Sequence, residues 1–154
     1  MKVGLNRVAA LALCGVVMFL GSSAVWAESA GMVKTARGMA NIERNGQKIP
    51  VVVGAPVESG DRIVTAADGA VGITLRDNTL LSAGPNSTLD LKKFAFNSTT
   101  HAGVIDASVK RGTLSVISGK IAKANPDGMV VSTPSVTLGV RGTEFMVEAG
   151  SAKE

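Results

Sequence analysis

The sequence predicts an all-β domain built from many short strands: a sandwich, a barrel or a solenoid. Three observations lead there. Apolar residues recur at period two, as in Val71, Ile73 and Leu75, in Leu89 and Leu91, and in Leu114 and Val116. That is the spacing of side chains on one face of a strand. Gly, Asn, Asp and Pro interrupt these runs roughly every 8–12 residues. No window carries an apolar stripe of period 3.6 long enough for a packed helix.

Residues 1–27 are set aside as a secretory signal. Lys2 and Arg7 supply a basic start, Val8 to Leu20 is apolar but for Gly15, and Val25-Trp26-Ala27 ends on a small residue. This three-part layout predicts cleavage after Ala27 and a periplasmic chain. The apolar run is short for a membrane span, which needs about 20 residues. Cys14 is the one cysteine and would leave with the signal, so neither a disulfide nor thiol chemistry is expected. About 127 residues remain, one domain's worth. A chain of that length buries about two-thirds of its unfolded surface. Without Lys2 and Arg7 the net charge of +4 falls to about +2. So weak a field gives no argument for a nucleic-acid partner.

After a short linker, residues 28–30, the strands begin. Asn45-Gly46, between "MANIER" and "QKIPVVV", predicts a hairpin, because a type I′ turn needs positive φ at both central residues. Asp68-Gly69, between "DRIVTA" and "AVGITL", reads as a second hairpin. Further breaks fall at Gly54, Ser59-Gly60, Asp77-Asn78 and Gly84-Pro85-Asn86, and Asn125-Pro126-Asp127-Gly128 makes a turn. Phe94 to Gly103, "FAFNSTTHAG", is the least strand-like stretch and reads as a long loop.

The segment 132–148, "STPSVTLGVRGTEFMVE", changes face. Val136, Leu138 and Val140 alternate, and Phe145 and Val147 continue on the opposite parity. Such a switch needs an inserted residue, a bulge or a corner between two sheets. Gly142 supplies the conformational tolerance. Arg141 carries five donors in a rigid fork. It is therefore expected to lie buried at the corner, bonded to carbonyls and to Asp61 or Asp77.

Reactive constellations are not visible. His101, the one histidine, lies in a polar stretch without a partner for acid–base work or a set of metal ligands. "SGKIAK" lacks the Ser or Thr of a phosphate loop. Lys92-Lys93 and Lys110-Arg111 read as solvated strand ends. No catalytic, cofactor-binding or metal-binding residue is assigned, and the chain is not expected to be an enzyme.

Taken together, "VVSTPSVTLGVRGTEFMVE", "KRGTLSV", "GMVKTARGMANIERNG" and "VESGDRIVTAADGAVGITLRDNTLLSAGPNSTLDL" resemble the FecR domain family. The likeness runs over about residues 31 to 148, leaving 149–154 as a tail. It implies a twisted β-solenoid-like or sandwich stack of about 10–13 short strands. The positions that match the family motif are Gly60, Asp61, Thr65, Asp77, Arg111, Gly112, Thr133, Pro134, Arg141, Gly142, Thr143 and Phe145, read as fold determinants. Asn78 stands where the family often has Gly, and Asn also tolerates the left-handed region. The family's founding members are anti-sigma regulators that carry a periplasmic signal from a TonB-dependent receptor. Only seven residues precede the apolar segment here, so a cytoplasmic anti-sigma region is not expected. What the resemblance implies is a stand-alone secreted module in envelope signalling with a protein partner. The alternative is a cell-wall or polysaccharide-associated scaffold.

Overall fold

The computed structural model describes residues 28–150. The expected signal segment, 1–27, and residues 151–154 lie outside the described residues. The fold is all-β. In chain order the strands are β1 (Gly31–Arg37), β2 (Ala40–Arg44), β3 (Gln47–Pro50), β4 (Pro56–Val57), β5 (Arg62–Thr65), β6 (Ala70–Leu75), β7 (Leu80–Ala83) and β8 (Thr88–Phe96). Then come β9 (Gly103–Ile117), β10 (Met129–Ser132), β11 (Thr137–Gly139) and β12 (Glu144–Ala149). One short helix, α1 (Lys120–Ala124), precedes β10.

Two layers share the long strand β9. One layer runs β4-β1-β6-β7-β9-β12, the other β3-β2-β5-β8-β9-β10-β11. Neighbours are antiparallel except β9 and β10, which are parallel. The sheet thus curls over on itself and closes on a single core. Val33, Ile73, Leu81, Leu114 and Val116 come from the first layer, and Ile42, Ile63, Leu89, Leu91, Ile105 and Val131 from the second. Each is essentially inaccessible to solvent. Burying a Leu, Ile or Val fully is worth about 1.5–3 kcal/mol over leaving it exposed. Period-two alternation therefore decides which face each strand turns inward.

Strand β9 changes parity as it passes between the layers. Its buried residues are Ile105, Ala107 and Val109 in the second layer, then Leu114 and Val116 in the first. The slip occurs where the register against β8 shifts between Leu89–Val109 and Thr88–Arg111. Gly112 has φ +87 there. The same tripeptide, Arg-Gly-Thr, recurs at residues 141–143, where the chain leaves β11 in one layer for β12 in the other. The parity switch of residues 136–147 is therefore a passage between sheets. Gly142 has φ +146, a conformation that favours glycine.

The Asn45-Gly46 hairpin forms as expected. Asn45 and Gly46 have φ of 50 and 77, and Arg44 pairs with Gln47. Asn78, with φ 67, closes the β6–β7 hairpin. Two expectations need correction. Asp68-Gly69 joins β5 to β6, which lie in different layers, so it is a passage and not a hairpin. Phe94 and Phe96 belong to β8, paired with Ile105 and Gly103; their alternation with Ala95 already had the period of a strand. The loop shrinks to residues 97–102, where Asn97 Oδ1 accepts from the Thr99 and Thr100 amides at 2.9 and 3.1 Å. "KIAKA" is helical, held by Asn125 N–H donating to Ile121 O at 2.8 Å.

Candidate functional site

The polar residues at motif positions divide into those that hold the fold from inside and those left on the surface. Asp61, just before β5, is buried at 1% exposure. Its carboxylate accepts both arms of the Arg44 fork, at 2.7 and 2.6 Å, and the Glu58 amide at 2.8 Å. Arg44 also donates to Glu58 Oε1 at 2.8 Å and to Pro56 O at 3.1 Å. The bond to Asp61 above all, with the charges of Asp61 and Glu58, holds the guanidinium above its ordinary pKa against the opposing effect of burial. One arginine from the end of β2 therefore ties down the whole β4–β5 turn. Gly60, in that turn, donates its amide to Leu91 O at 2.7 Å.

Asp77 is fully buried with no cationic partner among the described residues. Its carboxylate accepts Thr79 N–H at 3.1 Å, Thr79 Oγ1 at 2.7 Å and Ile121 N–H at 3.2 Å, while its carbonyl accepts Lys120 N–H at 2.8 Å. Hydrogen bonds to both oxygens satisfy a carboxylate away from water. They also fasten the β6–β7 turn to the start of α1.

Thr65 and Ser87 make a third buried knot. Thr65 Oγ1 donates to Gly84 O at 2.6 Å and accepts Ser87 N–H at 2.9 Å. Ser87 Oγ accepts Thr113 N–H at 3.0 Å beside Gly112. Arg111 stays at the surface and donates from Nε to Asn86 O at 3.2 Å. Thr133 Oγ1 accepts the Ser135 and Val136 amides at 3.3 and 3.1 Å, turning the chain at exposed Pro134. Phe145 is half-buried against the core, and exposed Thr143 accepts Ser118 N–H at 2.8 Å.

The expectation for Arg141 is overturned. It is exposed and makes no hydrogen bond or ion pair among the described residues. Asp61 is claimed by Arg44, and Asp77 by Thr79 and α1. The Arg141→Ala variant is accordingly expected to melt within about 0.5 kcal/mol of the parent in urea. Sequence reading missed Arg44, Thr79 and Ser87, whose partners lie 17, 2 and 26 residues away. Only the Asp-x-Thr spacing of Asp77 and Thr79 could have been found locally, as an Asx-type turn.

Elsewhere the surface offers little enclosure. A shallow groove of about 530 Å³ over β2, β5 and β8 is lined by Glu43, Lys48, Arg62 and Asp90. Arg62 already bridges to Asp90 at 2.6 and 3.0 Å. That pairing raises the pKa of Arg62 above its usual value. His101 is exposed and stacks on Phe96 with ring centroids 6.3 Å apart. The described residues contain no group of three or more His, Cys, Asp or Glu placed to hold a metal ion.

Buried Asp61 and Thr65, then buried Asp77, then the two Arg-Gly-Thr crossings follow one another along the chain. A family model described as FecR protein matches residues 61–153, more than half of the chain. The chain belongs to the FecR protein family. Membership marks it as a module related to envelope signalling. No curated protein and no solved structure matches it. Within this FecR-family domain the match begins at Asp61, and β1 to β4 lie ahead of it. Those strands are integral all the same, since β1 pairs with β6 and β2 with β5.

Proposed function

We propose that this FecR-family chain is a non-enzymatic interaction module of the bacterial envelope, exported to the periplasm after cleavage behind Ala27. It works by contact with a protein partner in envelope signalling and uses no cofactor. The family match over residues 61–153 carries the reading. The disposition of polar groups is compatible with it: the Asp61 and Asp77 carboxylates hold turns from inside the fold. The signal segment supports export through its basic start, apolar run and small-residue end.

The test is crosslinking in intact cells with a chain tagged at its C-terminus, followed by recovery from envelope extracts. A discrete protein partner is the expected product. Recovery with cell-wall polysaccharide alone would replace this reading with that of a wall-associated scaffold.

A further inference from the structure

Strand β12 ends the first layer, and among the described residues one of its edges is open. There it pairs with β9 alone, in unbroken register from Glu144–Ile117 to Ala149–Gly112. Thr143 O accepts Ser118 N–H, and in an antiparallel ladder the bonded pairs alternate. Phe145 and Val147 therefore bond to β9, while the N–H and C=O groups of Glu144, Met146 and Glu148 point away from it. The ladder on the far side of β9 agrees, since Gly84 N–H donates to Thr113 O there. The other solvent-facing edges are short or interrupted. β4 has two residues and begins with Pro56, β11 has three, and β3 has four and ends with Pro50. The uncovered stretches of β1 and β8 carry register shifts at Lys34 and Lys92. β12 has six residues, no proline and no bulge.

We infer that the free edge of β12 is a docking site for an extended segment of a partner protein that carries two basic residues four positions apart, with an apolar residue midway between them. Docking is by strand addition. The inference deepens the proposed interaction role and rests on it. The outward side chains of β12 are Glu144, Met146 and Glu148, all exposed, with neither glutamate in an ion pair among the described residues. Met146, at 73%, is the most exposed large apolar side chain among the described residues. A strand laid along this edge sets its own side chains directly opposite these three. The complement is basic, apolar, basic on the outer face. On the inner face the intervening positions are apolar and extend the core beyond half-buried Phe145.

The same two glutamates reject a second copy of the chain. Two β12 strands paired antiparallel about a two-fold axis at Met146 would set Glu144 opposite Glu148 twice, and like charges directly opposite are destabilising. Edge strands use such charges against aggregation. Here they also select the partner, because main-chain bonds supply affinity in strand addition and side-chain positions supply choice.

The test uses the mature chain and two synthetic peptides, Ser-Lys-Val-Leu-Val-Lys-Ser and its counterpart with Glu for both Lys. Titration followed by amide NMR and hydrogen exchange is expected to slow exchange at Glu144, Met146 and Glu148. Phe145 and Val147, already bonded to β9, stay unchanged. The acidic peptide is expected to bind about tenfold more weakly. In the Glu144→Lys/Glu148→Lys variant, whose changes are both on the surface, that preference is expected to invert. Equal binding of both peptides, binding that leaves these three amides unchanged, or no binding would overturn the inference. So would an envelope protein captured equally well by the parent and the charge-reversed variant. That last result would leave the interaction role standing and put its surface elsewhere on the domain.

Discussion

Arg44→Ala lowers the unfolding free energy by about 3–5 kcal/mol. The figure is that for removing one partner of a buried ion pair, and the geometry here puts the cost on Asp61. Its carboxylate is 1% exposed and loses two of its three donors, leaving only the Glu58 amide. Pro56 O and Glu58 lose their bonds too, so the β4–β5 turn is no longer tied to β2. Arg44→Lys retains the charge and loses the fork. A single ammonium cannot serve both Asp61 oxygens, Glu58 and Pro56 O, so about half the loss is expected to remain. Urea unfolding checks both variants, with the midpoint falling at unchanged slope. A loss below about 1 kcal/mol for Arg44→Ala would mean that water replaces the guanidinium, and Asp61 would not then depend on Arg44.

Arg44 also shows where sequence reading stops. Its side chain acts across 17 residues, and nothing in "NIERNG" points to "ESGDR". Local chemistry was legible. Asn45-Gly46 specifies its own turn because the dihedrals reside in those two residues. The period-two runs specify which side chains enter the core because alternation is a property of the strand alone. The change of parity after Val140 was legible as an inserted residue, a bulge or a corner between sheets, since a strand cannot present both parities to one core. The role given to Arg141 was not, because burial depends on what packs above a residue, and none of the described residues covers it. A second corner was visible in the same terms. Val109 and Leu114 have opposite parity, with Arg111-Gly112-Thr113 between them, as in residues 141–143. "KIAKA" could not be recognised as a helix, because five residues hold too little of a 3.6-residue period. Its placement comes from Asp77, 44 residues away from Ile121.

Gly112 is the second position at which a small change has a large effect, for two independent reasons. Its φ of +87 is one that residues with a side chain rarely adopt, at a cost of about 1–2 kcal/mol. A Cβ placed there would also lie 2.1 Å from Ser87 Oγ and 2.5 Å from Ser87 Cα. Ser87 cannot yield freely. Its hydroxyl accepts from Thr113 N–H and its amide donates to Thr65 Oγ1, so displacing it opens the buried knot that joins the two layers. Overpacking of this kind adds about 1–3 kcal/mol, and Gly112→Ala is expected to lose about 3–4 kcal/mol in all. Gly46→Ala provides the comparison. Gly46 has φ +77 but no atom within 4 Å of the added carbon, so only the dihedral cost of about 1–2 kcal/mol applies. Urea denaturation of the two variants side by side separates strain from crowding. If they lose the same amount, the contact with Ser87 carries no weight, and β9 turns its corner by backbone conformation alone.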